Sequence, residues 1–376
     1  MTEFFRASCG AVLKALRAPA QPSAHNQQHN RRKQCQQLKA VVSDFVHSHS
    51  YQESVPELLE LARTLYSMRE HKLALDTCCQ TSLDLLAAAN SSQAAPAQND
   101  TLTAQTAIYA AKNEAALLTT EDPELNLPDS VLKIKQICGK LHAAMQSMLP
   151  REQNHWLVYE GAIAMKEICS ASRSLPGKDM IQFLAFAVLA MDTDLSFSLP
   201  EHLPLRIDLH LALAHCQHRI GLQAEALATI KKGLTAVTSL EQLEQLEPLP
   251  PPPEAQAAYM QAKLQLSTAQ FALTAATLPS EQAVKDCLQA LFTSDTDRLA
   301  ALAISLLPTA PSRVVKHQPC PVAAAKLLAV AEAMTKPHLT VLSVHKSEVA
   351  EGAEALPDLQ AARAAVPLAT HQVLAS

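Results

Sequence analysis

From Met180 to Met191 the chain runs MIQFLAFAVLAM, apolar almost all the way round. Ile181, Leu184, Ala185, Val188 and Leu189 share one helical face, and Phe183, Phe186 and Ala187 share another. Such a helix is stable in water only when covered on both sides, so it predicts a layered helical stack with this segment inside. The flanks supply the layers. NHWLVYEGAIAMKEIC precedes the segment and LPLRIDLHLALAHCQHRIGLQAEALATIKKGLTAV follows it. Asn154–Val237 therefore predicts four antiparallel helices, stacked as two hairpins.

Composition narrows the class further. The 376 residues contain 7 Gly, which leaves little material for hairpin turns or phosphate-cradling loops. Ala and Leu dominate and favour helix over strand. The net charge of −5 argues against a nucleic-acid partner, because that affinity comes largely from Lys and Arg on phosphates. The exception is the basic run Arg31–Arg32–Lys33, which reads as a solvated helix start; its other reading is an electrostatic contact or localisation signal. Nine scattered cysteines without a C-x-x-C fit a reducing compartment and no disulfide framework. No run of 18 apolar residues occurs, so no membrane span is expected. The amphipathic start MTEFFRASCGAVLKALRAP is too short and interrupted for a secretory core; Arg6, Lys14 and Arg17 leave a mitochondrial transit segment as its second reading.

The expected organisation is a short helix and polar linker over 1–30, a helical-repeat array over 31–247, a proline spacer over 248–253, further helices over 254–308, and an Ala/Pro-rich, partly disordered region over 309–376. Ser54–Val55–Pro56–Glu57 reads as a helix start with Ser54 as N-cap. The stripe Leu58, Leu61, Ala62, Leu65 follows, then a turn near Met68–His71, then Ala74 and Cys78. Residues 90–103 read as a linker. Ala214, Gly221, Ala226 and Ile230 stand where a tetratricopeptide repeat needs small, turn, small and large residues. The fold class is therefore all-α: an α-solenoid of stacked antiparallel helix hairpins, tetratricopeptide-like and irregular. The prolines at 250–253 read as a stiff extended spacer, with an SH3 or WW ligand as the alternative.

Few residues resemble chemistry. His210, His215, Cys216 and His218 form the densest metal-capable group, but His210 lies about 140° round the helix from His215 and no nearby Asp, Glu or second Cys pair completes a tetrahedral set, so the histidines read as polar-face residues. His25/His29 and His47/His49 fail on the same count. Asp192–Thr193–Asp194 reads as a solvated, capping helix end. Trp156 reads as an inter-helix anchor packed with Tyr159 and Ile163. No nucleotide-binding, hydrolase-elbow or zincin motif occurs. The expectation is no catalytic, cofactor-binding or metal residues, no cofactor, and no enzyme.

Trp156–Leu157–Val158–Tyr159 with Gly161 and Ile163, Leu184–Ala185–Phe186–Ala187 running to Ala190–Met191–Asp192, and Leu203–Pro204–Leu205–Arg206 with Leu209, Leu213 and Cys216 resemble the N-terminal helical region of the cilia- and flagella-associated protein 54 family. Ala226, Leu234 and Leu291–Phe292–Thr293–Ser294 extend the likeness. The resemblance implies a non-enzymatic scaffold of motile cilia, in the central apparatus of the axoneme, needed for assembly and beating. Its implied partners are other axonemal or scaffold proteins, with no nucleic acid and no membrane; neither residues nor resemblance assigns direct microtubule contact. The implied location is cytoplasm, cytoskeleton and ciliary axoneme. The alternative is a soluble tetratricopeptide-like adaptor for peptide segments, although Arg219 and Lys231–Lys232 do not make a carboxylate-clamp pattern.

Overall fold

The structure is a computed structural model. It describes residues 2–17, 24–91, 96–171 without 124 and 126, 177–246, 251–298 without 276, 277, 279, 293, 295 and 296, and then 301 and 330. The helices expected near 321–335, 346–355 and 358–365, and most of that at 295–307, lie outside these residues.

Every element among the described residues is helical. In chain order they are α1 (Thr2–Arg17), α2 (Ala24–Ser48), α3 (Tyr51–Ser67), α4 (His71–Leu73), a π-helical turn (Ala74–Cys79), α5 (Gln80–Ser91), α6 (Pro96–Glu121) and α7 (Pro128–Met148). Then come α8 (His155–Ala171), α9 (Gly177–Thr193), α10 (Leu203–Arg219), α11 (Gln223–Gln245), α12 (Pro253–Ala275) and α13 (Glu281–Leu291). Two starts fall inside expected linkers. α2 begins at Ala24, and α6 begins at Pro96, whose fixed φ suits a first helical position. A third start moves from Ser54 to Tyr51. Ser50 is the N-cap, and its backbone N–H donates to the Glu53 carboxylate at 3.3 Å, so Ser50-x-x-Glu53 is the working capping pair. Ser54 is instead buried inside α3, and Pro56 lies within the helix.

Consecutive helices run antiparallel. On α6 and α7, Glu114 meets Lys140 while the earlier Asp100 meets Arg151, just past the end of α7. On α8 and α9, Cys169 near the end of one lies 3.8 Å from Met180 near the start of the other. Alternate helices run parallel: Tyr159 of α8 stacks 4.8 Å from His202 ahead of α10, and Lys166 further along α8 pairs with Asp208 further along α10. From α6 to α10 each helix thus packs on its successor, and α6, α7 and α8 also pack on the helix after that. This is an all-α repeat structure of stacked helix pairs.

The chain falls into two compact units, Met1–Thr229 and Ile230–Ser376, with the boundary inside α11. In the first unit, one cluster joins α6 to α10 through Ile108, Leu141, Met145, Leu157, Met165, Leu184 and Leu209, all fully buried. Full burial of such side chains stabilises by about 1.5–3 kcal/mol each before the entropy of ordering is subtracted. Gly161 sets the α7–α8 approach, since a Cβ there would stand 2.5 Å from Cγ of Met145. A neighbouring cluster joins α1, α2 and α3 to the π turn, and Phe5 stacks on Phe45 within it, ring centroids 4.0 Å apart. In the second unit Phe271, Val284, Leu288 and Phe292 pack together with Ala301 and Val330.

Two hairpin turns share one construction. After α10, Gly221 has φ 84° and donates its N–H to His218 O, while Leu222 N–H reaches Gln217 O. These paired bonds satisfy the last carbonyls of the helix and require a left-handed residue between them. After α3 the same two bonds run from Arg69 to Tyr66 O and from Glu70 to Leu65 O, with Arg69 at φ 61°.

Candidate functional site

The densest buried polar group of the first unit sits where α9 turns into α10. α9 delivers Asp192 at its last turn, and α10 delivers Arg206 and His210 one turn apart on one face. Their side chains are 9, 7 and 2% exposed. Arg206 Nη2 donates to Asp192 Oδ1 at 3.2 Å, and its Nη1 reaches Phe197 O at 3.4 Å. His210 Nε2 lies 3.2 Å from Asp192 Oδ2. Burial pushes the Asp192 carboxyl up, but the hydrogen bond and charge of His210, joined by those of Arg206, outweigh it and bring it down to about 2.

The surrounding turns complete the corner. Asp194 accepts from the Ser196 N–H at 2.9 Å and lies 3.0 Å from His155 Nδ1. Phe197, on the short 3-10 turn Leu195–Phe197, meets the His202 ring edge-on at 5.6 Å and Tyr159 at 6.1 Å. The arrangement ties the start of α8, the end of α9 and the start of α10 together. It closes a corner rather than opening a cleft, and each charged group faces another protein group.

Two expectations are corrected here. Asp192 is not a solvated cap but the buried acceptor of the corner, and His210 is not a polar-face residue but is 1% exposed. The reason is that α10 is covered on more than one side: Leu205, Arg206, Leu209, His210, Leu213 and Cys216 are all buried. His215 and His218 are exposed, as expected. A third correction concerns Trp156. It is 45% exposed because it stands at the second position of α8, beside but not on the face that buries Leu157 and Val158. Tyr159 and Ile163 pack partly buried against the core without it.

His47 Nδ1 lies 2.6 Å from Ser43 O, and His49 Nδ1 2.9 Å from Phe45 O, so both serve the end of α2. The side chains of His25 and His29 lie outside the described residues. Arg31, Arg32 and Lys33 are exposed within α2 rather than at its start, and Arg31 pairs with Glu70. Among the described residues no group of three or more His, Cys, Asp or Glu could hold a metal ion. Burial holds the Cys78 thiol well above its usual range and Cys79 at about 12, so neither offers a thiolate near neutral pH. No described helix is long and apolar enough to cross a membrane.

A family model described as Cilia- and flagella-associated protein 54 matches residues 28–355. The chain belongs to this family. The match takes in the corner, both hairpin turns and α2 from residue 28 on, and it reaches well beyond the residues that carry the resemblance in the sequence. Cilia- and flagella-associated protein 54 of Chlamydomonas reinhardtii is 27% identical over 219 residues, which is 57% of this chain and 7% of that protein. The chain therefore spans a small fraction of the length of this relative.

Proposed function

We propose that the chain is a structural scaffold of motile cilia or flagella, in the axonemal central apparatus, and contributes to cilium assembly and beating. Family membership is the observation that carries this reading. The stacked helix pairs support it, since they bury a continuous core and leave long outer faces for docking. In this reading the array is a tetratricopeptide-like α-solenoid of irregular repeat length. Its partners are other axonemal or scaffold proteins, and neither nucleic acid nor membrane is among them. The buried corner at Asp192 acts as a structural fastening that keeps consecutive pairs in fixed orientation, so that partners meet a stiff platform.

The test is the location of a tagged copy in ciliated cells and in matched cells that lack the central microtubule pair. The expected result is axonemal signal in the first and its loss from the axoneme in the second. Diffuse cytoplasmic signal in both would overturn the scaffold reading and favour a soluble adaptor.

A further inference from the structure

α2 is a helix with two very different sides. Leu38, Val42 and Phe45 are buried against the neighbouring helices. The flank of that buried stripe carries Arg31, Cys35 and Lys39 at four-residue spacing, with Arg32 and Gln36 alongside. These five residues line a shallow, open groove of about 380 Å³. The only acidic residue of the whole helix is Asp44, near its far end. Arg31 is taken up by Glu70, whereas Arg32 and Lys39 have no carboxylate partner among the described residues. In a chain of net charge −5 this is a local excess of positive charge on one exposed face.

The turn that supplies Glu70 also carries Arg69, outside the five residues that line the groove. Arg69 is exposed and holds a left-handed backbone conformation at a position where the sister turn uses Gly221. A side chain there carries a backbone cost that glycine avoids.

We propose that this face of α2 docks an acidic, extended peptide segment of a partner protein. The chemistry selects carboxylates. Guanidinium groups bind them through paired hydrogen bonds, and Arg32 and Lys39 stand about two turns apart, roughly 10 Å, which acidic residues about three apart in an extended segment span. A nucleic acid fits less well, because few cations are present and the Glu70 carboxylate sits on the rim. A membrane surface fits less well because none of the described residues lining the groove is a large apolar side chain fit for insertion. The inference deepens the scaffold reading by giving one partner a chemistry, and it rests on that reading for the partner's being a protein.

The experiment titrates the full chain into a fluorescein-labelled glutamate-rich peptide at low salt and follows fluorescence anisotropy. Saturable binding that weakens with added salt is expected, with no binding of the glutamine version of the peptide. The double substitution Arg32→Glu/Lys39→Glu should weaken binding about tenfold or more, while Lys33→Glu, on a different side of the helix, should leave it within about twofold. Circular dichroism melts check that the variants fold, and Arg32→Gln/Lys39→Gln replaces the double charge reversal if that variant does not. Failure of the wild-type chain to bind, equal affinity of the double variant, or tighter binding of a uridine oligonucleotide at the same residues would each overturn the proposal. The titration does not depend on where the protein resides, so it and the localisation test fail separately.

Discussion

The hairpins α3–α5 and α10–α11 can be laid over one another from their turns. Arg69 stands opposite Gly221, and counting outward pairs Ala62 with Ala214, Leu61 with Leu213, Ala74 with Ala226 and Cys78 with Ile230. All eight of the flanking residues are buried. The small side chains occur at the same two places, Ala62 and Ala214 before the turn and Ala74 and Ala226 after it. One helical turn further from the turn the pairs diverge. Leu58 is opposite His210, and Ser54 is opposite Arg206. The first hairpin is uncharged where the second holds its ionic corner. The comparison separates the two jobs: small residues near the turn make a hairpin, and the residues farther out decide what the hairpin is fastened to.

The largest expected effect breaks the difference directly. Asp192→Ala leaves Arg206 and His210 buried without their acceptor, and should destabilise the first unit by about 3–5 kcal/mol in a urea melt. Leu58→Ala, at the equivalent place in the first hairpin, opens an apolar cavity instead, so its effect should be the same at every pH. For Asp192 the pH dependence has a definite sign. Its folded value of about 2 lies below the ordinary carboxylate value of about 4. The native state therefore binds the proton less readily than the unfolded state, so the contribution is present above about pH 4 and lost as pH falls through about 2. It amounts to about 2 kcal/mol, read as the part of acid destabilisation that Asp192→Asn removes.

The likeness of the hairpins is tested next. Ala226→Leu and Ala74→Leu should each overpack a crossing and cost about 1–3 kcal/mol, and the two costs should agree within about 1 kcal/mol if the positions are equivalent. A melt unchanged by Ala226→Leu would contradict the close approach at that crossing. The smallest effects come from exchanging the turn residues. Gly221→Arg should lose about 1 kcal/mol, and Arg69→Gly should change stability by less than about 1 kcal/mol, in the stabilising direction.

The hairpins were legible because their signals are local. A stripe of Leu58, Leu61, Ala62 and Leu65 followed by a turn and Ala74 needs no knowledge of any other helix. Met180–Met191 was legible for the same reason: a helix apolar on every side announces its own burial. The ionic corner was not legible, because Asp192 and His210 meet only once the rotation of α9 against α10 is known. A trace of it was present. Arg206 and His210 are one turn apart among Leu205, Leu209 and Leu213, so two basic groups share a helix that is apolar on several sides. Such a pair calls for an acid on the preceding helix, and Asp192 ends that helix. Trp156 misled for a simpler reason. Size and rarity favour burial of a Trp, but the phase of Leu157 and Val158 decides which way position 156 points.

The π-helical turn at Ala74–Cys79 accommodates one residue more than a regular helix would over the same path. Its effect can be followed downstream. Beyond Ile230 the second hairpin buries Gly233 and Val237, while beyond Cys78 the first buries Ser82 and Leu86, each one place later than the matching count predicts. The wide turn therefore works as a built-in frameshift, offsetting by about 100° every side chain that follows it in α5. Removing a single residue within it would restore the ordinary helix and bring Ser82 and Leu86 to the places that Gly233 and Val237 hold by count. Relatives compared with this chain without a one-residue gap at that place would have their inner positions misassigned by about 100° from there to Ser91.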